Sequence, residues 1–429
     1  MPSANAGQAQ NQWMPIIAIG MLFFIFGFVT WLNGPLIAFV QVAFNLSDVS
    51  AFLIPMAFYL SYFFLAIPSS WILKATGMKK GMALGLFVMA IGALGFGQFA
   101  AMRLYPGALT SLFVMGAGLA LLQTAANPYI SILGSIESAA QRVAIMGICN
   151  KTAGALAPWV IGTLVLNGIG SIQEQVKAAA TPEARDALLD AFAAKVHLPY
   201  MIMAGVLVLL AVWVVRSSLP EVQSSTANAD VDHKAGTGIF HYPHLWLGVL
   251  CLFLYVGVEV MAGDAIGTYG RAFGLPLDQT KFFTSFTLVA MLAGYVAGLA
   301  LIPRFVTQER YLAGSALLGI LLALGAFSTH GYVSVGFVAA LGFANAMMWP
   351  TIFPLAIRHL GRYTEFGSAL LIMGIAGGAI IPQLFVYLKQ LFDFQEVFLL
   401  LMAPCYLYIL FYALVGNRMG LNKLKVSAV

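Results

Sequence analysis

The chain contains 429 residues, of which 61% are hydrophobic and only 9% are charged. Soluble domains average about 25% charged residues, so this composition excludes an ordinary soluble protein and predicts one embedded in a lipid bilayer. The formal net charge of +5 comes from basic residues in the predicted connections, where anionic lipid attracts them. It therefore requires no nucleic-acid partner.

Twelve apolar stretches follow one another along the chain, and each is long enough to cross a bilayer as a helix, for which about 20 residues suffice. They are far longer than the alternating strands of a membrane β-barrel, which have about 10 residues. The sequence therefore predicts an all-α membrane protein with twelve transmembrane helices. The predicted helices are centred near Phe28, Tyr62, Ile91, Leu119, Ala155, Val208, Val258, Leu292, Gly319, Asn345, Gly377 and Leu407.

A polar segment without apolar periodicity divides these helices into two sets of six. We predict a first six-helix bundle over residues 1–216, a cytoplasmic linker over 217–241 and a second bundle over 242–429. A further polar connection, over residues 170–195, is predicted to form a solvated helix outside the membrane.

Two short motifs recur in the same order in the two sets of helices. Residues 127–130 correspond to 349–352, and residues 145–148 correspond to 372–375. Duplicated halves explain both matches, so the two bundles are predicted to be pseudo-symmetric. In such an arrangement a binding site forms near the midplane, between the repeats.

The orientation follows from the basic residues of the connections. Those on the side of both termini are richer in lysine and arginine, and include Lys79, Lys80, Arg358 and Arg362. The positive-inside rule then predicts that both termini lie in the cytoplasm.

Polar side chains within the predicted helices are few, and in hydrocarbon such groups usually face a cavity or a partner. Amide groups beside flat aromatic faces match the hydroxyls and the apolar ring face of a sugar. Pairing between helices is the alternative role of each amide. Gln123 and Asn127 favour binding most, because they lie four residues apart on one helical face, next to Pro128. The candidate sugar-binding residues are Asn33, Gln123, Asn127, Asn150, Asn345, Trp349 and Gln383.

Three ionisable residues fall within the predicted helices, Lys151 in the fifth and Glu259 and Asp264 in the seventh. Lys151 is predicted about 13 Å from the start of its helix, which is too deep for its ammonium group to reach water, so it needs a partner or must become neutral. A buried carboxylate can bind a proton or a sodium ion. We interpret Glu259 as the sensor of a co-ion, adjusted by Asp264 or Lys151; a structural ion pair is the alternative.

Several of these segments resemble a known family. Residues 121–129, 255–259, 350–353 and 372–382 are similar to the fucose permease branch of the major facilitator superfamily. Within it, residues 142–158 resemble the bacterial glucose/galactose transporters. The resemblance covers nearly all twelve helices, and it implies the major facilitator fold, a central hexose site and transport by rocking of one six-helix domain against the other.

The chain departs from this branch at three positions. Fucose permeases carry acidic residues that serve proton coupling where this chain has Gly34 and Gln123. That proton route is therefore expected to be absent. In the seventh helix they have an amide where this chain has Glu259, which suggests that a carboxylate has been relocated.

Together these observations predict a monomeric hexose importer of the glucose/galactose type in the bacterial cytoplasmic (inner) membrane, coupled to Na⁺ or H⁺. Its partners are the sugar and the bilayer. No cofactor other than the co-ion and no metal is expected. Alternatives are an uncoupled hexose facilitator and an exporter of another small molecule. The chain has no His-Glu-x-x-His or Gly-x-Ser-x-Gly motif, so an enzyme is not expected.

Overall fold

The computed structural model describes residues 13–132, 139–217, 219 and 238–421, and throughout these ranges the regular elements are helices. These helices form twelve stretches, here called spans 1 to 12, that are long and apolar enough to cross a membrane. Some spans contain more than one helix. All twelve predicted centres lie within these spans, so the predicted all-α membrane architecture is confirmed. Most of the predicted linker, residues 218 and 220–237, lies outside the described residues.

The spans have the following bounds in chain order: Ile16–Ala43, Asp48–Thr76, Met78–Ala101, Tyr105–Asn127, Arg142–Leu164, Pro182–Arg216, Pro243–Gly263, Leu277–Leu301, Gln308–Ser328, Gly331–Ile357, Thr364–Leu388 and Phe394–Arg418. We call spans 1 to 6 the first half and spans 7 to 12 the second half. Because the number of spans is even, the described chain begins and ends at one end of the bundle, here the terminal end. The other is the distal end.

The two halves pack in the same way. In the first half the most extensive contacts join spans 3 and 4, 3 and 6, 2 and 4, and 1 and 5. Adding six to each number gives the corresponding list for the second half: spans 9 and 10, 9 and 12, 8 and 10, and 7 and 11. The main contacts between the halves, span 2 with span 11 and span 5 with span 8, are related by the same rule. The molecule is therefore two pseudo-symmetric six-helix bundles.

Two glycines show why equivalent spans approach so closely. A Cβ atom at Gly27 in span 1 would lie 1.8 Å from the carbonyl oxygen of Asn150 in span 5. In the second half, a Cβ atom at Gly377 in span 11 would lie 1.8 Å from the carbonyl oxygen of Phe253 in span 7. Small residues let membrane helices make direct backbone contact, and here they do so at the same helix pair of both halves.

Proline explains two of the breaks in the spans. Span 1 is divided between the helices Trp13–Thr30, which begins just before the span, and Asn33–Ala43. Span 10 is divided between Gly331–Asn345 and Met348–Ile357. Pro35 and Pro350 lack an N–H and so leave the carbonyl four residues earlier without its helical partner. Those carbonyls belong to residues 31 and 346, which lie at the two breaks.

The connection predicted as a solvated helix is helical but divided. Its helices are Ile169–Ala178 and Pro182–Ala194, and the second begins with a cap in which the Thr181 side chain accepts a hydrogen bond from the Ala184 backbone N–H. Phe192 in the second helix is buried against Phe39 of span 1, with ring centroids 5.4 Å apart. This helix therefore anchors the connection to the distal end of the first half.

We predict that Gly27→Ala lowers thermal stability in detergent, because the added methyl group would separate spans 1 and 5, and overpacking costs about 1–3 kcal/mol. Gly205→Ala is the matched control, since nothing lies within 4 Å of a Cβ atom there and alanine favours a helix by about 0.5–1 kcal/mol over glycine. The measurement is the fraction of monodisperse protein that survives heating. Equal midpoints for the two variants would contradict the close approach.

Candidate functional site

A cavity of about 110 Å³ lies between the two halves. By the same measure a single water molecule needs about 10–15 Å³, so the cavity has space for a small organic molecule of several heavy atoms. Its polar and aromatic lining comes from both halves: Phe23, Phe26, Thr30, Trp31, Tyr59, Tyr62, Gln123, Asn127, Asn150, Lys151, Tyr255, Glu259, Tyr295 and Trp349.

Three of the predicted sugar-binding amides come together in this cavity. Gln123 and Asn127 project from the same face of span 4, and Asn150 joins them from span 5. The Gln123 Nε2 atom donates a hydrogen bond of 3.1 Å to the Tyr62 hydroxyl, which orients the amide. Trp349 faces them from span 10. Amides from the first half therefore oppose an aromatic face from the second.

The repeated motifs also meet here. Asn127 and Trp349 are the first residues of the two matching segments 127–130 and 349–352. Both line the cavity. Gly147 and Ile375, from the second pair of motifs, line it as well. The recurrent segments thus supply equivalent walls of one site.

Several polar and aromatic lining residues were not among the predicted site residues: Phe23, Phe26, Thr30, Trp31, Tyr59, Tyr62, Tyr255 and Tyr295. Thr30 and Trp31 lie at the break of span 1, and the Thr30 Oγ1 and Trp31 Nε1 atoms are buried without a hydrogen-bond partner within the described part of the chain. Cβ atoms at Gly154 and Gly263 would lie 2.4 and 2.3 Å from the Trp31 ring, so these glycines make room for the indole. The signal was the Asn33-Gly34-Pro35 sequence, which breaks the helix beside Trp31.

Lys151 and Glu259 form an ion pair across the two halves. The Lys151 Nζ atom in span 5 lies 2.8 Å from the Glu259 Oε1 atom in span 7, and both residues are only 8% exposed. The same ammonium group lies 4.4 Å from the centroid of the Trp31 ring, where a cation is attracted by the aromatic face. Lys151, which the sequence indicated must find a partner, therefore has two.

The remaining predicted sugar-binding residues do not line the cavity. Asn33 is 1% exposed and donates to the Thr30 carbonyl at 3.1 Å. Asn345 is fully buried, and its Oδ1 atom accepts a 2.8 Å hydrogen bond from the Tyr406 hydroxyl. Gln383 donates to the Val49 carbonyl at 3.1 Å, across the halves at the distal end. The contacts of Asn345 and Gln383 match the alternative role of the amides, which is to join helices, whereas the contact of Asn33 stays within span 1. None of the three supports sugar contact.

Asp264 lies just beyond the cavity, where span 7 ends. It is 1% exposed, and its Oδ2 atom accepts a 3.1 Å hydrogen bond from the Tyr59 hydroxyl of span 2. The end of span 7 leaves carbonyls without helical partners. Two hydroxyl groups of span 8 act as hydrogen-bond donors to these carbonyls: Thr284 donates to the Gly263 carbonyl at 2.8 Å and Thr287 to the Ala262 carbonyl at 2.7 Å.

Polar contacts close the distal end. Asp48, at the start of span 2, binds Lys389 at the end of span 11 and lies 3.6 Å from Arg271, which follows span 7. Gln41 contacts both Asp48 and Arg271. Burial lowers the pKa of the Arg271 guanidinium, and Asp48 opposes this shift; since arginine starts above pH 12, it stays charged. Asp48 therefore joins the halves through two cations.

A second seam at the distal end joins spans 5 and 8. The Lys281 ammonium group donates to the Leu166 carbonyl at 2.8 Å, the Gly170 N–H to Asp278 at 3.2 Å, and the Ser285 hydroxyl to the Ala155 carbonyl at 2.8 Å. The cavity extends the other way, because Asn127 and Val143 line it from the terminal-end parts of the helices Tyr105–Ile132 and Ala139–Leu164. The site is thus sealed distally and reaches toward the terminal end.

Two six-helix halves that enclose a polar cavity, with contacts closing one end, define a multi-pass membrane transporter. The chain belongs to the Major Facilitator Superfamily, whose sequence profile matches residues 19–382.

Similar proteins align with nearly the whole chain. It is 33% identical over 413 residues to the glucose/galactose transporter of Brucella abortus, covering 95% of each chain. It is 29% identical to the L-fucose-proton symporter of Escherichia coli K12, covering 97% of this chain and 96% of that protein. The crystal structure of the superfamily transporter FucP in the outward conformation matches with a TM-score of 0.76 and 28% identity, over 94% of this chain and 99% of that one.

The Lys151–Glu259 pair predicts a non-additive stability effect. Glu259→Gln alone should destabilise the protein by about 3–5 kcal/mol, because it leaves Lys151 buried without its carboxylate. Adding Lys151→Met should recover most of the loss, since removing both charges of a buried pair is often neutral. Thermal midpoints of the two single variants and the double variant, in one detergent at one pH, measure the coupling.

Asp186→Asn is the control for this cycle, because Asp186 pairs with Arg103 at an exposed site, where an ion pair contributes about 0–1 kcal/mol. Additive effects of the two substitutions at 151 and 259 would show that the ion pair does not form.

Proposed function

We propose that the protein is a secondary transporter that imports a hexose of the glucose/galactose type by alternating access. The observation that supports this most strongly is the cavity itself, in which the amides of Gln123, Asn127 and Asn150 face the indoles of Trp31 and Trp349. Hydroxyl groups of a sugar can pair with the amides while its apolar face packs on an indole. The substrates named for the relatives in Brucella abortus and Escherichia coli are also hexoses.

The proposed orientation puts both termini in the cytoplasm of a bacterium, with the protein in its cytoplasmic membrane as a monomer. The distal seams would then face the outside. In the described conformation the sugar site would be closed to the outside and directed toward the cytoplasm, as required for release. Opening the contacts of Asp48 and Lys281 would reverse this access.

The proposed energy source is a co-ion, H⁺ or Na⁺, and its candidate sites are the buried ionisable residues Glu259, Asp264 and Lys151. Coupling requires only that sugar and co-ion together favour reorientation more than either does alone, which typically takes about 1–3 kcal/mol. A buried carboxylate can supply this difference, because the free energy of its ionised form depends on access to water. No other cofactor is part of the proposal.

Proteoliposomes test the function directly. Vesicles loaded with unlabelled D-glucose or D-galactose should take up the same labelled sugar by counterflow, whether or not an ion gradient is present. Imposed pH and sodium gradients, applied separately, should show concentrative uptake with one of them. Counterflow without concentrative uptake would identify an uncoupled facilitator, and lack of counterflow with any hexose would refute the proposal.

We predict that Gln123→Ala lowers the kcat/KM of hexose uptake about 3- to 10-fold, since a typical hydrogen bond contributes about 0.5–1.5 kcal/mol. Gln98→Ala is the matched control, because Gln98 in span 3 is exposed on the outer surface of the bundle and does not line the cavity. Initial rates of exchange across a range of sugar concentrations give both values. An equal effect of the two substitutions would remove Gln123 from the site.

A further inference from the structure

The buried charges around the cavity do not balance. Spans 5 and 7 contribute Lys151, Glu259 and, at the end of span 7, Asp264, and all three are less than 10% exposed. Lys151 and Glu259 neutralise each other at 2.8 Å. In the described ranges no lysine, arginine or histidine forms an ion pair with Asp264. One carboxylate is therefore left without a counter-charge.

The groups that face Asp264 are mostly neutral. Span 2 contributes the Tyr59 hydroxyl, which donates to the Oδ2 atom. Span 1 approaches at Gly34, where a Cβ atom would lie 3.3 Å from the Oδ1 atom, and Oδ1 has no hydrogen-bond partner in the described part of the chain. Span 8 contributes Thr284, whose hydrogen goes to the Gly263 carbonyl. The other charged groups that act on Asp264 are Glu259 and Lys151, which form their own pair.

Lys281, the lysine of span 8, does not supply the missing charge either. Its ammonium group donates to the Leu166 carbonyl at 2.8 Å and lies 3.0 Å from the Asp278 carboxylate. The described part of the chain also holds no group of three or more histidine, cysteine, aspartate or glutamate residues that could bind a metal ion. The described residues therefore offer Asp264 neither a side-chain cation nor a cluster of acidic metal ligands.

We propose that Asp264 is the residue that binds the transported proton, and that the Lys151–Glu259 pair is a neutral unit that carries none. This rests on the proposed function, because it assigns the co-ion and its site within a coupled sugar transporter. An ionised carboxylate that is 1% exposed and accepts one hydrogen bond, from a neutral hydroxyl, loses its hydration without gaining a counter-ion. Protonation removes this cost, so the closed conformation requires the proton.

The position of Asp264 links the proton to the movement of the halves. Asp264 belongs to the second half, whereas Tyr59 and Gly34 belong to the first. Separation of the halves at the distal end would remove these contacts and admit water. In water the ionised form is favoured at neutral pH, so the distally open state exchanges the proton with the outside. The distally closed state holds the proton until water from the cavity, which Tyr59 also lines, reaches the carboxyl group. That difference in affinity is what couples proton binding to reorientation.

The test uses proteoliposomes that contain a pH-sensitive dye, with the membrane potential held constant. Adding an exchangeable hexose outside should acidify the interior of vesicles with the wild-type protein, which gives the number of protons moved per hexose. In Asp264→Asn this ratio should fall at least tenfold while hexose exchange remains measurable. Glu396→Gln removes an exposed carboxylate and should leave the ratio unchanged.

The double variant Lys151→Met/Glu259→Gln tests Glu259 independently of Asp264. It should keep the wild-type ratio of protons to hexose, whatever its rate of transport. Loss of proton movement in the double variant, or a wild-type ratio in Asp264→Asn, would overturn the assignment. Replacing sodium with choline should not change the wild-type ratio, and hexose uptake that needs sodium and moves no protons would overturn it too.

A measurement on the wild-type protein guards against misfolding of Asp264→Asn. Infrared spectra at neutral pH should show the carbonyl band of a protonated carboxylic acid, and Asp264→Glu should retain both the band and proton movement. A wild-type spectrum without that band would overturn the proposal. Wild-type hexose exchange without protons would refute only this assignment, whereas a complete lack of hexose exchange would refute the proposed function.

Discussion

The requirement that a buried charge find a partner organises the centre of this molecule. Lys151 lies far inside span 5, where an unpaired ammonium group would be very costly. Its carboxylate partner, Glu259, comes from the other half, and the face of Trp31 covers the same ammonium group. The pair therefore holds spans 1, 5 and 7 together beside the cavity. The same pairing neutralises the charge of Glu259 in this conformation. Glu259 is the carboxylate that the sequence indicated as the sensor of the co-ion.

The cavity itself arises from departures from regular helix packing. Glycines at 27 and 377 bring the paired spans of each half into backbone contact. Span 1 is interrupted before Pro35, and Trp31 at this break lines the cavity. Span 10 is interrupted before Pro350, and Trp349 beside that break lines the cavity from the other half. Close packing within each half and broken helices at the centre thus leave space where the two halves meet, which is where duplicated transporters bind their substrates.

The sequence predicted the fold well because the length and apolarity of a membrane helix are local properties, and all twelve predicted centres lie in spans. Gln123 and Asn127 were also predictable, since residues four apart share a helical face in any packing. The other amides were not. Asn345 can contact either a ligand or Tyr406, depending on which face of span 10 packs against span 12. Span 10 is apolar on all sides, so its sequence does not indicate which face that is. The Lys151–Glu259 pair, 108 residues apart, depends on the docking of two halves.

This chain has Gly34 at a position where fucose permeases carry an acidic residue. In the structure, side chains of the second half fill the space beside Gly34. A Cβ atom at Gly34 would lie 2.4 Å from the Thr284 hydroxyl and 3.3 Å from the Asp264 Oδ1 atom. A larger residue at 34 would collide with these side chains of the second half, so glycine and Asp264 are sterically linked. The sequence alone pointed to Glu259 as the relocated carboxylate. The charge balance and the position of Gly34 point to Asp264 instead, because a carboxylate can serve a proton only when no lysine has already neutralised it.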